Sequence, residues 1–185
     1  MITYDLPTSL EIGGVGYPIR SDFRAILDIL IAASDPELDD LGKAIVMLQI
    51  MFPDWEKIPP EHIEEACKKA CDFIDCGKKD DGKPKPRMID WEQDASLIVP
   101  AVNGVAHTEV RALPYLHWWT FFGYFMGIGD SLLSSVIHIR QKKAKGKKLE
   151  KWEREFYQEN KALCDIQKRY TAEEIEAREN ILKWL

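Results

Sequence analysis

Leu113-Pro-Tyr-Leu-His-Trp-Trp-Thr-Phe-Phe-Gly-Tyr-Phe-Met126 is the stretch whose reading decides the fold. Seven of its residues between Tyr115 and Phe125 are aromatic, and no charged side chain occurs between Arg111 and Asp130. A helix apolar on all sides is either the buried centre of a protein or a membrane span. Its uncharged length lies at the lower edge of what crosses a bilayer, roughly 17–25 residues. The run also contains His117, Thr120, Pro114 and three glycines, and its bulk is aromatic rather than aliphatic. Trp and Tyr concentrate at membrane interfaces, not across the hydrocarbon centre. The stretch therefore predicts a buried central helix, entered through Pro114, in a protein that does not enter a membrane.

Downstream, a second apolar run, Leu132 to Ile139, carries His138 near its end. From Arg140 to Arg154 basic residues predominate, broken by Gly146, which reads as a solvated linker between helices. Leu149, Trp152, Phe156, Leu163, Ile166 and Tyr170 then follow a 3.5-residue repeat in which only Glu159 is out of place, predicting a long amphipathic C-terminal helix. Thr171-Ala-Glu-Glu174 resembles a capping box, where that helix can stop and restart.

Upstream, Met88 to Asn103 reads as a helix with Asp90-Trp-Glu-Gln-Asp94 in its first turns, where acidic groups complement the helix dipole. Its inward stripe is Trp91, Ala95, Ile98 and Val102; Pro100 either kinks it or ends it early, and Asn103-Gly104 is the expected stop. Residues 78–87 are charged, carry glycine and two prolines but no apolar side chain, and are expected to form a mobile surface loop. Before it, Pro59-Pro60-Glu61 opens a helix whose line is Ile63, Ala66 or Cys67, Ala70, and Phe73 or Ile74, with Gly77 as its cap. Leu41, Ile45, Leu48 and Phe52 mark another, and Phe23, Ile26, Leu27, Leu30 and Ile31 a third, capped by Ser21 or Asp22. Thr8–Ile12 and Val15–Ile19 alternate around Gly13-Gly14, the turn of a β-hairpin. The fold class is mainly α: a single-domain helical bundle with a short N-terminal hairpin and a long C-terminal helix. Residues 1–148 form the core domain, and 149–185 an amphipathic helix packed on that core or on a partner.

The formal charge of −6 is uneven: residues 1–75 are strongly acidic, while the remainder is mildly basic. An acidic front half argues against a general nucleic-acid binder. The four cysteines lack zinc-knuckle spacing, and Cys67 and Cys71, one helical turn apart, read as small packing residues. No phosphate-binding loop, H-E-x-x-H, G-x-S-x-G or paired Glu-x-x-His is present. Asp90 and Asp94 fall on one side of a helix with Glu92 turned away, which reads as a solvated helix start before it reads as a metal site. His117 reads as a histidine hydrogen-bonded in the core. No catalytic, metal or cofactor residue is expected, and none is assigned.

Three segments together carry a resemblance. They are Leu6-Pro…Ile12-Gly-Gly-x-x-Tyr17-x-Ile19 running into Asp22-Phe23-Arg24; Asp90-Trp91-Glu92-Gln93-Asp94 with Ile98; and His117-Trp118-Trp119-x-Phe121 followed by Arg140. In this order the chain resembles the "gene product fifteen" family of long-tailed bacteriophages over essentially its whole length. Pro100 and the Val102-Asn-Gly-Val105 after it depart from the small and aromatic residues usual there.

The resemblance implies a tail-assembly chaperone that binds the tape-measure protein, the tail-tube protein or both before and during tube polymerisation. It would work in the host cytoplasm and be absent from the finished virion. Asp22, Phe23, Arg24, Trp91, Asp94, His117, Trp118, Trp119, Phe121 and Arg140 become a family signature with no reactive centre, so truncating Trp119 is expected to unfold the chain. The seam Leu149, Trp152, Phe156, Leu163, Ile166 and Tyr170 is the candidate surface for the client or for another copy of the chaperone. Two alternatives stand beside this: a structural component of the tail or connector, and, with less support, nucleic-acid contact through the basic segment 140–154.

Overall fold

The computed structural model describes residues 5–78 and 86–182 of the 185-residue chain. Seven of the ten positions of the expected mobile loop, 79–85, lie outside the described residues. The chain opens with an antiparallel hairpin, β1 (Ser9–Ile12) and β2 (Val15–Pro18), in which Ile12 pairs with Val15 across Gly13-Gly14. Both glycines have positive φ, as a two-residue hairpin turn requires. Helix α1 (Phe23–Ala32) follows, with Asp22 as its N-cap, then α2 (Asp40–Met51) and α3 (Ile63–Ile74). The second half contains α4 (Ala95–Ala106), α5 (Trp118–Met126), α6 (Leu132–Ala144), α7 (Lys151–Glu159), α8 (Lys161–Cys164) and α9 (Ala172–Leu182). The protein is thus mainly helical with one short hairpin. No helix among the described residues is long and apolar enough to cross a membrane.

The main core runs from the hairpin through α1–α5, and α5 lies at its centre. Trp118 and Phe121 are essentially fully buried, and Phe121 stacks on Phe23 of α1 with centroids 4.5 Å apart. Each such ring removes about 150–250 Å2 from water, roughly 4–6 kcal/mol of transfer free energy before entropy is charged. The helix is shorter than the aromatic run that announces it. Residues 113–117 are not helical, and one face of the stretch stays wet, with Tyr115 and Met126 at least half exposed. A smaller cluster, Val136, Ile139 and Cys164, joins α6 to α8 and takes in Leu149, Phe156 and Leu163.

Four local expectations are corrected. Helix α4 begins at Ala95, not Met88, because Asp90 spends its carboxylate on the backbone N–H groups of Glu92 and Gln93, closing a turn of its own. It also runs through Pro100 and past Asn103-Gly104 to Ala106, where His107 adopts the left-handed conformation at φ 53°. Pro100 is exposed, so the carbonyl it leaves without an N–H donor, that of Ser96, meets water. In α2 the buried face is Leu48 and Met51 leading into Phe52, while Leu41 and Ile45 point to solvent. That helix is apolar at so many positions that periodicity does not single out one face.

The fourth correction concerns the long C-terminal helix, which is divided into α7, α8 and α9. The break after α8 has an identifiable cause. A helix continuing past Cys164 would offer the carbonyls of Leu163 and Cys164 to the N–H groups of Gln167 and Lys168. Arg140 takes both carbonyls instead, and the Gln167 N–H turns to the Gln93 side chain at 2.9 Å.

Candidate functional site

The signature residues assemble into two polar staples and one apolar cleft. In the first staple, the Asp22 carboxylate accepts the Arg24 backbone N–H, capping α1, and also the Leu116 N–H at 3.0 Å. Arg24 pairs with Asp22 and donates to the carbonyls of Arg111 and Leu113. A short antiparallel bridge, Phe23 N–H to Leu116 C=O and Trp118 N–H to Ser21 C=O, joins the starts of α1 and α5. His117 caps α5: its Nδ1 accepts the Trp119 N–H, which makes Nε2 the donor to the Pro7 carbonyl at 2.9 Å. Trp118 and Trp119 donate their indole N–H groups to the carbonyls of Ile74 and Phe73. These are the last carbonyls of α3, where the i+4 donors of the helix have run out; that of Phe73 also accepts the Cys76 N–H.

The second staple is a buried ion pair. Arg140 grips both oxygens of Asp94 at 2.6 and 2.8 Å, with both side chains at most 4% exposed. The same guanidinium donates to the carbonyls of Met88, Leu163 and Cys164, so all its directions are used. Asp94 also receives the Asp90 N–H. Burial pushes the Asp90 carboxyl up, but backbone donors from Gln93 and Glu92 and the charges of Arg87 and Arg169 outweigh it and hold the group below its ordinary value. Gln93 donates to Ala162 and Asp165. Asp90, Gln93 and Asp94 thus fasten the segment after α8 onto the core, while Trp91 turns inward against Trp118 and Phe125.

The cleft lies beside this junction. Leu30, Ile74, Trp91, Trp118 and Phe122 line a recess of about 240 Å3, rimmed by Asp75 and Lys78. Lys78 lies over the Phe122 ring, 5.1 Å from its centroid. The volume is below the usual range for a drug-sized ligand, about 300–1,000 Å3, and suits one or two apolar side chains. A larger trough along α1, about 640 Å3, is lined by Arg20, Ser21, Asp22, Arg24 and Tyr115. The polar groups of these five residues are occupied with one another and with backbone carbonyls of Gln49, Ile50, Arg111 and Leu113, while Asp28 also lines the trough.

The six seam residues are separated. Leu149, Phe156 and Leu163 pack into the small cluster beside α6, Trp152 is 53% exposed, and Ile166 and Tyr170 lie half-buried on the extended link before α9. Among the cysteines, Cys164 is buried, whereas Cys71 is exposed rather than packed. Burial pushes the Cys76 thiol up to about 11. No group of three His, Cys, Asp or Glu side chains among the described residues is arranged to hold a metal ion. Sequence reasoning missed Glu153, a buried carboxylate held by Lys142, His138 and the Glu150 N–H, which keep it down at about 2. Its i, i+3 relation to Glu150, a capping box, was the available signal.

No curated protein and no solved structure matches the chain. The family described as Bacteriophage Gp15 protein matches residues 2–166, which takes in the hairpin, both staples and the cleft. The chain belongs to that family, and so to the structural and morphogenesis proteins of bacteriophages.

Proposed function

We propose that this protein is a non-catalytic tail-assembly chaperone, holding the tape-measure protein, the tail-tube protein or both in the host cytoplasm until the tube polymerises. The observation that carries this reading is the cleft between Trp91, Trp118 and Phe122. It is apolar and concave and has a charged rim. A tape-measure protein is a long helical chain with apolar faces, and an apolar recess with a polar rim accepts an anchor side chain of such a helix reversibly. The signature residues around the cleft are committed to internal hydrogen bonds, so they hold its shape and leave its rings as the contact surface.

Of the seam residues, Trp152 retains the largest free surface; Leu149, Phe156 and Leu163 serve chiefly to attach α7 and α8. Co-expression with the tape-measure protein of the same phage tests the reading. The client should be soluble with this protein and aggregate without it; equal solubility in both cases would overturn the proposal. Mass spectrometry of purified particles separates it from a structural virion component, since a chaperone is absent from them and a tail or connector component is present.

A further inference from the structure

Between Arg140 and Arg154 the chain carries eight basic residues. Three are spent internally: Arg140 on Asp94, Lys142 on Glu153, and Lys143 on Asp165 and Tyr157. Lys145, Lys147, Lys148, Lys151 and Arg154 are exposed and have no acidic partner among the described residues. Within this lobe Trp152 is 53% exposed and is fixed in place by stacking on His138, with ring planes 10° apart. An exposed ring on a lobe that carries five unpaired cations, although Glu155 stands one turn from that ring, is complementary to an apolar spot that follows a run of carboxylates.

The chain itself presents such a spot. Leu41 and Ile45, one turn apart on α2, are 69% and 38% exposed. Asp35, Glu37, Asp39 and Asp40 stand immediately before them. None of these carboxylates is in an ion pair among the described residues; those of Asp35, Glu37 and Asp39 accept backbone N–H groups. Within one molecule α2 packs chiefly on α1 and α3, and the basic lobe extends from α6, which packs on α4 and α8. No ion pair among the described residues joins the two surfaces within one molecule, and the Glu37 carboxylate accepts the N–H of Ala172 at the start of α9.

We infer that the basic Trp152 lobe of one copy docks on the acidic Leu41–Ile45 face of α2 in a second copy. The contact is head-to-tail, so each copy keeps one lobe and one face free, and association propagates into a ring or a short open chain. Rim charges of this kind contribute little singly and are screened by salt, so the assembly is weak and ionic-strength dependent. Nucleic acid is the less favoured occupant: the front half of the chain carries a large negative excess that a polyanion would have to pass.

Sedimentation of the full chain tests the inference. At roughly 0.05 M salt the average mass should rise with concentration above the 21.3 kDa monomer, and at roughly 0.5 M it should return to it. Lys147→Glu/Lys148→Glu/Lys151→Glu should weaken self-association at least about tenfold, and so should Asp40→Lys/Leu41→Lys, with far-ultraviolet circular dichroism and melting temperature unchanged. Mixing the two variants should restore association, because each retains the surface the other needs. A wild type monomeric at low salt, or a mixture that stays monomeric, would overturn the inference. Lobe reversal that abolishes retention of a short DNA duplex but leaves self-association intact would overturn it too, and would assign the lobe to nucleic acid.

Discussion

Replacing Arg140 by Met retains a long apolar stem in the core and removes only the guanidinium. The consequence can be worked from its partners. Asp94, with a side chain 1% exposed, would keep its carboxylate in a dry site facing no cation. The carbonyls of Met88, Leu163 and Cys164 would lose their donor at the same time. Removing one partner from a buried pair costs about 3–5 kcal/mol, mostly the penalty of the charge left behind. For a chain of this length that is a fall in melting temperature of roughly 6–20 °C. Urea denaturation should show the midpoint moving, and hydrogen exchange should show residues 149–170 losing protection beyond the rest. Adding Asp94→Asn removes the stranded charge and should recover part of the loss. A single Arg140→Met variant within about 1 kcal/mol of wild type would refute the staple as described.

The two adjacent tryptophans are predicted to differ. Trp118→Ala empties a fully buried site and should cost roughly 3–5 kcal/mol; Trp119 is only half-buried, so against the expectation from sequence its truncation should cost less and leave a folded chain, as thermal melts will show. Gly13→Ala should be destabilised by about 1–2 kcal/mol or more in chemical denaturation, since φ is +56° and the new methyl would meet the His62 ring at 2.5 Å. Glu153 is held at about 2, below its ordinary 4.5, first by Lys142 and then by the Glu150 N–H and His138. Its folded-state pKa is depressed, so its contribution is complete above about 4.5 and is lost as pH falls toward about 2. Stability measured across that window should fall with acid, and Glu153→Gln should flatten the slope.

The segments readable from sequence were those in which one face alone is apolar. Helix α3 shows this, with Ala66, Ala70 and Phe73 inward, and α1 shows it in part: Phe23 and Ile26 of the expected stripe are buried and Leu27 and Leu30 are partly buried, but Ile29, outside that stripe, is buried too. The hairpin was readable because Gly-Gly permits the turn that the alternation around it requires. Where periodicity misled, a tertiary partner had intervened. The seam Leu149 to Tyr170 has a coiled-coil repeat, yet Arg140 captures the carbonyls that would have carried the helix past Cys164, from 23 and 24 residues away in sequence. Asp90 and Asp94 looked like dipole partners of a first turn, and a local pattern contains nothing of Arg140 or Arg169, which face them across the fold. The tryptophan pair was legible as a signature, but its attachment to the end of α3 was not. The cleft was invisible for the same reason: Leu30, Ile74, Trp91 and Phe122 come together only when four parts of the chain are packed.

The central claim is that the aromatic cleft receives an apolar segment of the tail-assembly client. Phe122→Ala tests it most directly, because Phe122 is half-buried and lines the recess while standing outside both staples. The variant should be co-expressed with the tape-measure protein, and the soluble fraction of the client compared with that obtained using wild type. Phe122→Ala should leave a chaperone that melts cooperatively and is itself soluble, with the client lost to the pellet. A Phe122→Ala variant that keeps the client as soluble as wild type does would contradict it.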